Sequence, residues 1–195
     1  SGSLIGIMGA SGSGKSTLLN ILNGAYTPYS GSVTINGVDI HNDIDGVNGM
    51  VGYISQDDLL IEELTVYQNL FLNAKLCFDG LSDDEIRTRV DSTLTALGLF
   101  EIKDIQVGNP MNKKISGGQR KRLNCGLELI REPSVLFVDE PTSGLSSRDS
   151  ENIMDLLKEL ALKGKLIFVV IHQPSSEIFK MFDKLMITDT GGYPI

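Results

Sequence analysis

The sequence predicts an α/β protein: a mostly parallel sheet, an antiparallel β hairpin region and an inserted helical subdomain. Three observations carry that expectation. All-apolar runs of four to six residues recur at 4–8, 135–138 and 166–171, the pattern of strands buried on both faces. Amphipathic helical stripes alternate with them, as in a parallel sheet covered by helices. Between residues 57 and 131 the strand pattern stops and helix-start signals replace it.

The run at 4–8 reads as a buried strand ending in glycine, followed by a helix over 15–23 with Gly24 as its stop. Residues 33–35 and 38–40 flank Asn36-Gly37, a strong hairpin turn. A further strand is expected at 51–55. Thr65 to Gln68 and Ser82 to Glu85 both have capping-box spacing, and the second leads into Ile86, Val90, Leu94 and Leu97, a helical stripe stopped by Gly98. Ser116 caps a third helix running to about residue 131, before Pro133. The βα pattern then returns: a strand at 135–138, a helix whose face is Ile153, Leu156, Leu157 and Leu160, a strand at 166–171, a short helix at 175–180 and a strand at 185–187. The core is thus expected in two parts, 1–56 and 132–195, around a helical stretch at 57–131. The abrupt start at Ser1-Gly2-Ser3 and end at Pro194-Ile195 read as those of an excised fragment, truncated at both ends.

Composition narrows the function. The 195 residues carry 17 Lys+Arg against 25 Asp+Glu, a formal net charge of -8. That charge opposes a nucleic-acid partner and a polybasic membrane anchor. No apolar run approaches the ~20 residues of a membrane-spanning helix. Cys77 and Cys125 stand far apart, with neither disulfide nor metal-ligand spacing, and are expected as core or subsurface thiols.

Gly9-Ala10-Ser11-Gly12-Ser13-Gly14-Lys15-Ser16 fits G-x-x-x-x-G-K-[ST] between a buried strand and a helix, which marks a P-loop NTPase core. Glycines let successive N–H groups converge on one anion, and the helix N-terminus adds about half a positive charge. Gly9, Ser11, Gly12, Ser13, Gly14, Lys15, Ser16 and Thr17 are the expected phosphate cradle. Lys15 reaches the β- and γ-phosphates, and Ser16 offers its hydroxyl to Mg²⁺. The strand at 135–138 ends in Asp139-Glu140. Ligands lie off the carboxyl ends of parallel strands. Asp139 is therefore a metal ligand candidate and Glu140 a base for in-line attack on the γ-phosphate. On local sequence alone, Gln56 is a polar strand-end residue, Ser116-Gly117-Gly118 an ordinary helix cap or an anion site, and His172 a packed strand-end histidine.

Ile115-Ser116-Gly117-Gly118-Gln119 resembles the signature motif of ABC-type ATPases, LSGGQ. Phosphate loop, Gln56, signature, Asp139-Glu140 and His172 follow the order of that family. Gln56-Asp57-Asp58, Gly118-Gln119-Arg120-Lys121-Arg122 and Ile171-His172-Gln173-Pro174 look like its G subfamily of transporters. The resemblance implies an ATPase core at 1–56 and 132–195, with a helical subdomain bearing the signature at 57–131. It implies MgATP as ligand, Gln56 near metal and attacking water, and His172 as the switch residue orienting Glu140. It implies a second copy of the domain, paired head to tail so that Ser116, Gly117 and Gly118 close over the partner's ATP. It also implies a transmembrane domain, fused or separate, on whose cytoplasmic side the ATPase sits (the inner membrane in a bacterium).

Two departures stand out. Ser146 follows Ser143-Gly144-Leu145 where the family usually has aspartate, although Ser146 can still cap the next helix. The adenine-stacking aromatic of the family lies upstream of the phosphate loop; Tyr26 and Tyr53 do not occupy that place, so weak adenine recognition is expected. Arg120, Lys121 and Arg122 are expected on a solvated helix face or in contact with the partner's nucleotide. A non-transport ABC ATPase acting on DNA or ribosomes, and a nucleotide-gated module with little catalysis, are the alternatives. The acidic charge opposes the first, and the ATPase rate of the whole gene product separates the second.

Overall fold

The computed structural model describes residues 2–43, 45–47, 49–109, 111–112, 114–189 and 191–193. Ser1, Pro194 and Ile195, which bear on the reading of an excised fragment, lie outside them. The chain forms two compact units. One comprises Ser1–Gln56, Pro133–Ser143 and Met154–Ile195; the other comprises Asp57–Glu132 and Gly144–Ile153.

The first unit is built on β1 (Ser3–Gly9), α1 (Lys15–Leu22), the two-residue strands β2 (Thr34–Ile35) and β3 (Val38–Asp39), and β4 (Val51–Ile54). Asn36 and Gly37 take left-handed conformations, φ 52° and 83°, between the antiparallel β2 and β3. The turn expected from Asn-Gly therefore forms, because both of its central residues tolerate positive φ. In the second unit lie α2 (Val66–Cys77), α3 (Asp83–Ala96) and α4 (Gly117–Leu129). The chain returns to the first unit with β5 (Val135–Asp139). It then enters α5 (Ser147–Leu162), whose first turns count with the second unit, and continues through β6 (Leu166–Val170), α6 (Ser176–Met181) and β7 (Lys184–Thr188).

The sheet has the order β4-β5-β6-β1-β7, with every neighbouring pair parallel. Its central strands are apolar because both faces are covered: β5 buries Val135 to Val138. Ile7, Leu19, Val135, Phe137 and Val170 form a core under α1, and the rings of Phe137 and Phe168 stack at 5.1 Å between β5 and β6. β7 exposes Leu185 and Ile187, so this edge strand is less apolar in setting than the central ones.

The second unit shows why its helices start where they do. Thr65, Ser82 and Ser116 each accept the N–H three residues on, while Gln68, Glu85 and Gln119 reach back to the cap N–H. α3 buries Ile86, Val90 and Leu94, the stripe read from the sequence. Asn69 and Asn124, both buried, fasten the segment before α2. Asn69 accepts from the Ile61 N–H at 2.8 Å and donates to the Ile61 carbonyl at 3.0 Å, and Asn124 accepts from the Leu59 N–H at 3.0 Å.

Two expectations are corrected. Arg120 and Lys121 do not form a solvated face; they are only 7% and 6% exposed. Arg120 Nε donates to Asp58 Oδ2 at 2.9 Å and its Nη1 donates to the Gly108 carbonyl at 2.6 Å. The middle of α4 is enclosed on most sides, and a guanidinium is tolerated there because it is paired and hydrogen-bonded. On α5 the buried stripe is Ser150, Ile153, Met154, Leu157 and Ala161, with Leu156 and Leu160 only partly covered. The 3.6-residue stripe is centred one position away from the expected face.

Candidate nucleotide site

Four pieces of the first unit meet at one edge of the sheet. Because β4, β5, β6 and β1 are adjacent and parallel, their carboxyl ends lie side by side. Those ends lead into Gln56, Asp139-Glu140, His172 and the loop from Gly9 to Ser16, in that order. In the chain these residues are spread from Gly9 to His172; sheet order makes them neighbours.

The loop after β1 is shaped for an anion. Gly14 is the N-cap of α1, in a left-handed conformation with φ 87°, and makes no side-chain cap hydrogen bond. The starts of α2, α3, α4 and α6 are all closed by a Ser or Thr oxygen. α1 alone among these keeps the first-turn donors that every helix leaves without intrahelical partners. Gly12 is also left-handed, with φ 78°. Ser11, Gly12, Ser16 and Thr17 are exposed at this mouth.

Ser13 serves the loop itself. Its hydroxyl shares a buried 2.9 Å hydrogen bond with Thr188 at the end of β7, and its N–H donates to the Ala10 carbonyl at 3.1 Å. Gly9 is held by the same neighbour: a β-carbon there would overlap Thr188 and lie 2.6 Å from Ser13 Oγ. Thr188 thus supports the loop from a position the sequence reading did not single out; it lies 175 residues from Ser13. Lys15 is buried, and its ammonium donates to the Gly9 and Ala10 carbonyls at 3.0 and 2.8 Å. An ammonium has three donors, so one remains for a ligand oxygen.

The acidic end of β5 is strained. Glu140 adopts φ 44°, and its N–H donates to the Val170 carbonyl at 3.0 Å. Left-handed backbone costs a non-glycine residue about 1 kcal/mol, and such residues persist where surrounding structure holds them. Glu140 Oε1 lies 3.3 Å from His172 Nε2. With that nitrogen protonated, the ring donates to the carboxylate and fixes its rotamer. Asp139 is half-buried and its Oδ2 lies 3.5 Å from the Tyr53 hydroxyl. Burial first, and then the Asp139 charge, push the Tyr53 phenol above its ordinary value. Gln56 is exposed, with its amide 3.5 Å from Ser143 Oγ. A hydroxyl at Ser16, a carboxylate at Asp139 and a carbonyl oxygen at Gln56 are the hard oxygen donors that suit Mg²⁺.

In the second unit, Ser116 Oγ accepts the Gln119 N–H at 3.1 Å and the Ser116 N–H donates to Gln119 Oε1 at 2.8 Å. The helix-cap reading of this segment is therefore realised. The exposed Ser116 hydroxyl still has its proton to donate. Ser146 caps α5, accepting from the Asp149 N–H at 3.2 Å.

Residues 1–143 match the family model described as ABC transporter. The chain is 38% identical over 191 residues to the ABC-type transporter claG of Penicillium crustosum, covering 97% of this chain and 25% of that protein. It is 40% identical over 192 residues to ABC transporter G family member 14 of Arabidopsis thaliana, covering 97% of this chain and 29% of that protein. The chain thus spans between a quarter and a third of these relatives. Among solved structures, it resembles cbiO1 from Clostridium perfringens, part of the ABC transporter complex cbiONQ, with TM-score 0.85, 31% identity, and coverage of 99% of this chain and 75% of that one. It also resembles the ATP-binding cassette MJ0796 in a dimeric post-hydrolysis state bound to ADP and Pi, with TM-score 0.78, 30% identity, and coverage of 97% and 82%.

Proposed function

Since this chain belongs to the ABC transporter family, with relatives in its G branch, we propose that it is the ATP-hydrolysing part of a longer transporter. It energises movement of a substrate across a membrane through head-to-tail pairing around MgATP. The observation that supports this reading most is the row of Gln56, Asp139-Glu140, His172 and the uncapped phosphate loop along one sheet edge.

In this reading the first-turn N–H groups of α1 and the Lys15 ammonium bind the phosphates. Ser16, Asp139 and Gln56 hold Mg²⁺, which when bound neutralises charge on the β- and γ-oxygens. Glu140 polarises a water whose oxygen attacks the γ-phosphorus as the bond to the ADP oxygen breaks, and takes its proton. His172 keeps Glu140 aimed, and Gln56 orients the water. Ser116, Gly117 and Gly118 of a second copy cover the γ-phosphate. The dimeric state of MJ0796 and the cbiONQ assembly support a partner copy and a transmembrane partner. Among the described residues no helix is long and apolar enough to cross a membrane. In the proposed assembly a transmembrane domain, fused or separate, makes the passage, and this part works at its cytoplasmic face.

The test uses the full-length protein. Glu140→Gln is expected to lower ATP turnover by a factor of at least about a hundred while nucleotide binding stays near wild type. Lys15→Ala is expected to lose binding. Wild-type turnover in Glu140→Gln removes Glu140 from the mechanism.

A further inference from the structure

The signature turn has a negative charge already beside it. Asp149 lies in the first turn of α5 and belongs to the same compact unit as α4. A β-carbon at Gly118 would overlap Asp149 Oδ1 and sit 2.7 Å from its Cγ. Any side chain at Gly118 would force the Asp149 carboxylate to move. The other carboxylate oxygen, Oδ2, accepts from Ser146 Oγ at 2.9 Å, and that same Oγ accepts the Asp149 N–H at 3.2 Å. The carboxylate is therefore held between two helix N-termini, its own and that of the 13-residue α4. Each N-terminus carries partial positive charge and first-turn donors. That is a favourable place for an anion, and in the proposed function it adjoins the one a partner's γ-phosphate enters.

We propose that Asp149 sets how tightly the turn Ser116–Gly118 grips the phosphate: its charge offsets the positive end of α4 and repels the incoming anion, so that closure around ATP is weaker than the turn's own donors would give. This rests on the head-to-tail reading above. The sequence around it points the same way. Ser146 stands where the resemblance expects an aspartate, and Asp149 places a carboxylate three residues on, one turn along the same helix face. Capping alone does not account for the arrangement, because Ser146 already satisfies the α5 N–H without a carboxylate packed on Gly118.

The experiment measures ATPase rate against ATP concentration for the full-length protein at low salt and at about 0.5 M salt. Asp149→Asn is close in shape and keeps an acceptor for Ser146 Oγ. It is expected to lower KM for ATP roughly threefold to tenfold, as removing one partly screened charge several ångströms from a phosphate should. The difference is expected to shrink at high salt. Asp149→Glu keeps the charge and is expected within about twofold of wild type. A merely structural role predicts loss of thermal stability with KM unchanged. An Asn variant with unchanged or raised KM, or a fall that Glu reproduces, overturns the proposal. Should the Asn variant not fold, Asp149→Thr is read under the same conditions with the same expectation. If wild type and Lys15→Ala bind ATP alike, the underlying function fails instead, an outcome distinct from a failure of Asp149 alone.

Discussion

At the residue scale, environment decides what a side chain can do. The acidic end of its strand points to Glu140 and the family pattern to His172, and the structure brings the two within 3.3 Å of each other. Cys77 and Cys125 look alike in sequence and differ in place. Cys125 is fully buried in α4, and burial pushes its thiol up to about 12; Cys77 is half-exposed, its thiol also raised by burial. Only the thiolate reacts. Brief alkylation at pH 8 should therefore leave the Cys125 peptide unmodified in native protein and modify it after denaturation, as peptide mass mapping would show; native labelling of Cys125 would contradict the enclosed α4. Legibility at this scale was uneven. Lys15 and Asp139 are legible from the glycine-rich loop and the acidic strand end, and Gln56 only through the family resemblance, whereas Thr188 and Asp149 carry no local pattern and matter only through partners reached across the fold.

At the element scale, caps were legible because they are local chemistry. S-x-x-E and T-x-x-Q each place both partners within one turn, and both boxes form. Ser82→Ala should lower stability by about 1 kcal/mol, read as a shift of the denaturation midpoint with unchanged slope; a neutral effect would mean the α3 start is fixed by packing alone. Helix faces were less legible. The α5 stripe and the burial of Arg120 and Lys121 depend on how many neighbours enclose each helix, which periodicity does not encode. Arg120 is kept in its enclosed position by Asp58, 62 positions away.

At the scale of the whole molecule, long-range ties close the first unit. Asp183, before β7, accepts from the Leu4 N–H of β1 at 2.8 Å and from Lys158 of α5 at 2.5 Å. The Leu4 N–H first, and then Lys158, hold its carboxyl below the ordinary carboxylate range. A depressed folded value means the contribution is present above the unfolded pKa of about 3.9 and is lost as pH falls through the folded value. Asp39, Glu85 and Glu177 shift the same way through hydrogen bonds from His41, Ser82 and Lys180. Stability should thus fall between about pH 5 and 2, and Asp183→Asn should flatten that fall in a series of urea titrations. An unchanged pH slope would show that Asp183 gains nothing from its two partners.

The sequence by itself determined the elements and the local patterns: buried strands, capped helices, the Asn36-Gly37 turn, a glycine-rich loop opening a helix and a strand ending in two carboxylates. Each is written within a few consecutive residues, where backbone sterics and neighbouring side chains suffice. Only the tertiary structure decided the order β4-β5-β6-β1-β7, the enclosure of Arg120 and Lys121, the support of Gly9 and Ser13 by Thr188, and the packing of Asp149 on Gly118. Those arise from pairing and packing between segments far apart in the chain, whose energies depend on which surfaces meet rather than on any residue's neighbours in sequence.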